Sequence, residues 1–214
     1  LERPAVSDQT ADYDRLLNKL GRDDLIIHPR DLTHYPAMLR NNNFAVTATL
    51  KDNRIISIEP GNTTDQLYGV AFDIGTTTIV GSLLDLNKAT VLAVAAETNP
   101  QNIYGADVIS RITHASQGED ETKQLQGKVV EAVNKIIHNL LRQTHIARDR
   151  IYEVVAVGNT TMSHLFMGID PTYLAPAPFI PAYSTALEVE AAALGIKINP
   201  SGRVVFLPNI AGYV

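Results

Sequence analysis

The sequence predicts an α/β domain of element order β-β-β-α-β-α-β, preceded by a small α+β module, so that the whole chain is α+β in content. Three observations lead there. Residues 67–97 hold three apolar, β-branched runs separated by Gly75-Thr76-Thr77 and by Asn87-Lys88-Ala89, the pattern of an antiparallel meander. Residues 121–145 repeat Leu125, Val129, Val130, Val133, Ile136, Ile137, Leu140 and Leu141 at spacings of three and four, which makes one apolar helix face. Residues 152–157 are apolar apart from Glu153, as expected of a largely buried central strand.

The elements follow in order. Residues 1–12 are polar, contain Pro4 and read as a linker. Over 12–20, Leu16, Leu17 and Leu20 sit at helical spacing, and Gly21 supplies the stop. Residues 25–28 are a short apolar piece. A second helix is expected over 31–41, with Leu32, Tyr35, Met38 and Leu39 on one face; Pro36 inside it predicts a kink or a later start. Residues 44–50 alternate, placing Phe44, Val46, Ala48 and Leu50 on one face, and 54–59 return after Lys51-Asp52-Asn53 as the second strand of a hairpin. Residues 1–65 thus form one module, too small to bury a large core. The domain over 66–214 continues from the meander through a short helix over 105–115, the long helix, the buried strand and a helix stopped by Gly168. A proline-rich segment at 170–183, a short helix over 188–194 and a last strand over 204–207 complete it.

Composition removes several function classes. With no cysteine among 214 residues, the chain has no disulfide, no thiolate metal site and no cysteine-held iron–sulfur cluster. A formal net charge of −5 argues against a nucleic-acid-binding surface. No apolar run approaches the about 20 residues of a membrane span, and no signal-peptide pattern opens the chain, so the expected location is cytoplasmic. His28 and His34 lack nearby carboxylates in register and read as surface residues rather than metal ligands. The first residue is Leu1 rather than Met, as in a piece of a longer protein.

The chemistry concentrates where the first meander strand ends in Asp73 and Gly75, Thr76, Thr77 and Thr78 follow. Glycine lets the backbone approach an anion, successive N–H groups in a tight turn form an anion-binding concavity, and the hydroxyls add donors. Asp73 would repel a bare phosphate; it suits a hydrated divalent cation that bridges to phosphates. An ordinary hairpin with a capping aspartate accounts for the same residues. A second candidate is Gly158-Asn159-Thr160-Thr161, at the C-terminal end of the buried strand, where ligands of α/β sheets collect. A plain helix cap by Asn159 or Thr160 is the alternative. Asn99, Gln101, Asp107 and Arg111 follow the meander's open end and are candidates for lining the same cleft, although Asp107 and Arg111, four apart on a helix, also suit a local ion pair. His164 is expected on a helix surface.

Residues 68–86 resemble in full the first nucleotide-contacting motif of the actin, sugar kinase and DnaK-like chaperone superfamily: a strand ending in Asp, then Gly-Thr-Thr, then a second strand. The resemblance narrows with Glu97-Thr98-Asn99-Pro100-Gln101, with Tyr104-Gly105-Ala106-Asp107-Val108-Ile109-Ser110-Arg111-Ile112, with Ala156-Val157-Gly158-Asn159-Thr160-Thr161-Met162, and with Leu207-Pro208-Asn209-Ile210-Ala211-Gly212. These resemble the reductive activators of corrinoid proteins, ATP-dependent proteins that return corrinoid cobalt from Co(II) to Co(I).

The resemblance implies that residues 66–214 form the first ribonuclease-H-like half-domain of an actin-like ATPase and that residues 1–65 form its middle or linker module. It supplies the strand pairing, which periodicity alone does not. It implies ATP and Mg²⁺ as ligands, with Asp73 as the catalytic residue holding the metal through water, and Gly75, Thr76, Thr77, Thr78, Gly158, Asn159 and Thr160 around the phosphates. It implies a corrinoid protein as partner and a 2Fe–2S cluster in a ferredoxin-like domain outside this chain. This chain is then expected to hold one wall of the nucleotide site. A small-molecule kinase of the same fold and a non-enzymatic actin-like scaffold are the rival classes. A homodimer is expected, because Ile210, Ala211, Tyr213 and Val214 would leave apolar surface uncovered and the hairpin offers strand edges.

Overall fold

The structure, a computed structural model, describes residues 1–209. The chain divides into two compact units, Leu1–Gln66 and Leu67–Val214. Expectations resting on Ile210, Ala211, Gly212, Tyr213 and Val214 lie outside the described residues.

The first unit contains α1 (Asp12–Leu20), β1 (Ile26–Ile27), α2 (Pro29–Leu32), α3 (Tyr35–Asn41), β2 (Val46–Lys51) and β3 (Arg54–Pro60). Gly21 ends α1 with φ +65°, a left-handed conformation that favours glycine. The single helix expected over 31–41 is two helices. Pro36 is the cause: it lies in the first turn of α3, where its missing N–H leaves no helical bond unmade. The described strands pair in the order β1-β3-β2, with β1 parallel and β2 antiparallel to β3. The expected alternation from Phe44 to Leu50 holds only for Val46 and Ala48, which pack on the core. Phe44 precedes the strand at φ +62° and reaches the core from the turn, and a bulge between Thr49 and Leu50 leaves Leu50 exposed. Leu16, Leu25, Tyr35, Leu39, Phe44 and Ile55 form that core.

The second unit opens with the meander: β4 (Tyr68–Ile74), β5 (Thr78–Asp85) and β6 (Thr90–Thr98). Next come α4 (Val108–Ala115), α5 (Glu119–Thr144), β7 (Ile151–Gly158) and α6 (Thr160–Met167), then β8 (Leu187–Glu190) and β9 (Arg203–Phe206). The long helix starts earlier than its apolar periodicity predicts, because Glu119, Asp120 and Glu121 occupy its first turn, where the helix dipole favours acids. Among the described residues the sheet order is β6-β5-β4-β7-β9-β8. β4 pairs antiparallel with β5 and parallel with β7, and β7 is parallel to β9.

The expected helix over 188–194 is a correction. Residues 187–190 form an edge strand antiparallel to β9, and only Ala191–Leu194 turn helically, as a single 3-10 segment. Leu187-Glu188-Val189-Glu190 alternates with period two, and Arg203 on β9 meets Glu188 at 2.8 Å and Glu190 at 3.5 Å. Cross-strand charge pairing at an edge outweighs the helical propensity of the alanines that follow.

α5 lies on the sheet face made by Val70, Phe72 and Ile74 of β4 and Ile79 and Leu83 of β5. Its Val133, Ile136, Ile137 and Leu140 are fully buried there. Gly81 makes this approach possible: a Cβ at that position would stand 2.6 Å from Ile136 Cγ2 and 2.8 Å from the Phe72 ring. Neither atom is the free end of a flexible chain. Gly81→Ala is therefore expected to lower stability by about 1–3 kcal/mol through overpacking, read as a lower urea midpoint with unchanged slope. An unchanged midpoint would mean that α5 can lift without cost.

Candidate functional site

Two loops converge because β4 and β7 are parallel neighbours. Ile74 at the end of β4 is in register with Gly158 at the end of β7, so the turn at Gly75–Thr78 and the start of α6 lie at the same sheet edge. Glycine is required at both places by close approach. A Cβ on Gly158 would stand 2.8 Å from the Ile74 carbonyl oxygen, and one on Gly75 would stand 2.5 Å from the Thr78 carbonyl oxygen. The Gly75 N–H donates to that same oxygen at 3.0 Å, which closes the turn. Asp73, Thr77 and Thr78 are exposed, while Gly75 and Thr76 are half-buried.

Asn159 forms the helix cap expected as the alternative reading and also bonds the turn. As the N-cap of α6 its Oδ1 accepts from the Met162 N–H at 2.8 Å, and its Nδ2 donates to Thr76 Oγ1 at 3.2 Å. One side chain thus fixes the helix start and ties it to the turn. Thr160, the next residue, is buried, as is Thr161. Asn209 joins the same corner: its Oδ1 accepts from Ser163 Oγ at 2.9 Å and its Nδ2 donates to the Tyr183 carbonyl.

Asn99, Gln101 and Arg111 were expected along a cleft; all three have zero exposure and lie beneath the turn. Asn99 Nδ2 donates to the Gly75 carbonyl at 2.9 Å, and its Oδ1 accepts from the Gln101 N–H. Gln101 Nε2 donates to the Leu125 carbonyl of α5 at 2.9 Å. Arg111 donates to the carbonyls of Gly105 and Thr76, to Gln101 Oε1 and Asn102 Oδ1, and to Met162 Sδ. The Asp107–Arg111 ion pair does not form. Asp107 is instead the N-cap of α4 in a capping box with Ser110, whose amide holds the Asp107 carboxyl below its usual range. Burial draws the Arg111 guanidinium down to about 10, still protonated at neutral pH. Sequence reasoning missed Asn102 and Met162, which complete the Arg111 shell; Met162 ends a motif it had singled out, and Asn102 falls in the gap between two others. Glu97 serves structure, meeting Lys135 of α5 at 2.9 Å.

His164 is a further correction: it is fully buried, not on a helix surface, because α6 is enclosed on every side from Thr160 to Phe166. The Ala182 N–H can only donate, so Nε2 accepts it at 3.0 Å and the proton sits on Nδ1, facing the Thr160 carbonyl at 2.7 Å. The ring stacks on Tyr183 at 5.0 Å.

Among the described residues one cavity of about 550 Å³ lies beside Arg15 in the first unit and another of about 520 Å³ along the outer side of α5. Among the described residues no group of three or more His, Asp or Glu is placed to hold a metal ion.

Residues 68–214 match the family described as the RACo middle region, and residues 1–65 match the RACo linker region. The chain belongs to the RACo family. The family descriptions give the name "linker" to the first unit and "middle" to the second. The corrinoid activation enzyme RamQ of Eubacterium limosum is 37% identical over 163 residues, covering 76% of this chain and 28% of that protein. A solved structure described as a reductive activator for corrinoid, iron-sulfur protein matches 100% of this chain and 35% of its own, with a TM-score of 0.87 and 36% identity. This chain therefore spans about a third of the length of the relatives it matches. Its fold is the actin-like half-domain, the expected β-β-β-α-β-α-β order with β8 added at one edge.

Burial of His164 lowers its pKa from the ordinary 6.5, against smaller opposing effects of the Thr160 carbonyl and Asp170. The unfolded chain then takes up the proton first as pH falls. The His164 contribution to stability is complete above pH 6.5 and is lost as pH drops through the lower folded value. Urea unfolding on either side of pH 6.5 is expected to show a larger acid loss in the wild type than in His164→Gln; equal losses would place the sensitivity elsewhere.

Proposed function

We propose that this chain is part of an ATP-dependent reductive activator of corrinoid proteins, in which the second unit forms one wall of the nucleotide site. The observation that carries this reading is the meeting of the Gly75–Thr78 turn with the N-terminus of α6, joined by the Asn159–Thr76 hydrogen bond. A helix N-terminus and a glycine turn with exposed amides and hydroxyls suit phosphate oxygens. The names of two relatives, a corrinoid activation enzyme and a reductive activator, support the substrate class.

In this reading Gly75, Thr76, Thr77 and Thr78 hold phosphate oxygens, and Gly158, Asn159 and Thr160 hold them from the α6 side. Asp73, exposed near the end of β4, would face the same space in this reading. Mg²⁺ fits there only as a hydrated ion that arrives with ATP, since it keeps several waters and needs one or two carboxylates besides phosphate oxygens. Bound so, it would offset phosphate charge. Asp73 would orient its water shell or the attacking water. Nucleotide binding then shifts the activator between two grips on its corrinoid partner, one of which favours reduction to Co(I). The 2Fe–2S cluster belongs to a domain outside this cysteine-free chain. A cytoplasmic location is part of the same proposal; among the described residues no helix is long and apolar enough to cross a membrane. So is a homodimer, for which β2 is an edge strand of its sheet among the described residues.

In the full-length protein, ATP hydrolysis is expected to rise on addition of Co(II) corrinoid protein. Asp73→Ala is expected to lower it by about a hundredfold or more while leaving thermal unfolding unchanged, since the side chain is exposed. A phosphorylated small molecule as product would replace the proposal by a kinase, and near wild-type hydrolysis would reduce Asp73 to a turn residue. Residues 1–214 alone, with one wall of the site, are expected to bind Mg-ATP weakly in calorimetry; a micromolar dissociation constant would contradict the one-wall reading.

A further inference from the structure

We infer that Asn99 and Arg111 are positioning residues that aim the backbone amides of the Gly75–Thr78 turn at the phosphates of the bound nucleotide. The inference rests on the nucleotide reading above and adds what makes the turn an anion site. Three successive carbonyls of the turn are held by one buried cluster. Gly75 O accepts from Asn99 Nδ2 at 2.9 Å, Thr76 O from Arg111 Nη2 at 2.6 Å, and Thr77 O from the Asn99 backbone N–H at 2.8 Å.

The peptide groups concerned are trans, and in a trans peptide the C=O and the following N–H point in opposite directions. Drawing the Gly75 and Thr76 carbonyls down onto Asn99 and Arg111 therefore turns the Thr76 and Thr77 N–H groups up, away from the cluster. Among the described residues no protein group accepts from either amide. Asp73, Thr77 and Thr78, on either side of these amides in sequence, are exposed. The turn's own sequence does not dictate this, because Gly-Thr-Thr can present either side of its peptides; the cluster beneath it decides.

Arg111 adds charge to direction. It is fully buried, yet its hydrogen-bond partners are three amide or carbonyl groups of the chain besides the Thr76 carbonyl, and a thioether, with no carboxylate among them. A buried cation is ordinarily paired with an acid, because an isolated one is costly. Here Asp107, the nearby acid, is engaged in capping α4. A fixed positive charge directly under the turn and without a hydrogen-bonded counter-ion complements an anion bound above it. Gln101, locked to Arg111 and to the Leu125 carbonyl, holds the guanidinium against α5, so the aim is set by the packed core.

The test is calorimetry on the full-length protein with Mg-ATP and, separately, adenosine, which lacks the phosphates, alongside thermal unfolding. Arg111→Lys keeps the charge but cannot hold Thr76 O and Asn102 Oδ1 together. It is expected to weaken Mg-ATP by about tenfold or more while changing adenosine by less than about twofold. Asn102→Ala, at an exposed residue, removes one Arg111 contact without touching the core and should show a smaller loss of the same kind. It decides by the same ratio if Arg111→Lys does not fold. Unchanged Mg-ATP affinity in folded variants, or equal losses for both ligands, overturns the positioning role. A wild type that binds no ATP overturns the nucleotide reading itself, and this inference with it.

Discussion

Strand β4 sets the geometry on which the second unit depends, because it has unlike neighbours. On one side it is antiparallel to β5, so the chain reverses at its C-terminal end through the short Gly75–Thr78 turn. On the other it is parallel to β7, so a second loop leaves the sheet at that same end. An antiparallel neighbour in place of β7 would send that loop to the opposite edge, and Asn159 would never meet Thr76. Hydrogen-bond direction in a single strand thus brings together residues more than eighty positions apart in sequence.

α5 enforces this arrangement from one face. Its apolar stripe seals Val70, Phe72, Ile74, Ile79 and Leu83, at roughly 25 cal/mol per Å² of apolar surface removed from water. Its backbone also takes part in the polar layer through Leu125, whose carbonyl accepts from Gln101. The helix therefore holds the sheet by burial and the loop cluster by hydrogen bonding. A shift of α5 would disturb the core and the floor of the turn together.

The parts legible in the sequence are those with a strong period or a punctuating residue. The stripe of α5, the apolar run of β7, the stop at Gly21 and the meander around Gly75 all follow from local chemistry that tertiary contacts reinforce. What was not legible depended on partners distant in sequence. Residues 187–190 become a strand because Arg203 waits on β9 to pair with two glutamates. His164 sits inside because Ala182 and Tyr183 fold back over α6, which no pattern in residues 160–167 announces. The site divides in the same way. Asp73, Gly75 and the threonines follow from the motif, whereas the depth at which Asn99, Gln101 and Arg111 lie does not. A polar residue after a strand looks the same in sequence whether it borders a cleft or underlies it, and only the contacts of its donors tell the two apart.

Burying Asn99, Gln101 and Arg111 together would be destabilising if any of their donors lacked an acceptor, since an unmatched polar group in a core costs about 1–3 kcal/mol. Several of the acceptors they need are carbonyls of the turn itself. Turn and cluster consequently support each other: without the cluster the carbonyls would rotate toward water, and without the carbonyls Asn99 Nδ2 and Arg111 Nη2 would each lose an acceptor. This mutual dependence fixes the turn before any ligand arrives. In the proposed nucleotide reading a phosphate would meet amides that are already oriented, and the reorganisation that a flexible loop would undergo on binding would have been done during folding. The network that stabilises the turn is, in the proposed reading, the same arrangement that would preorganise it for binding.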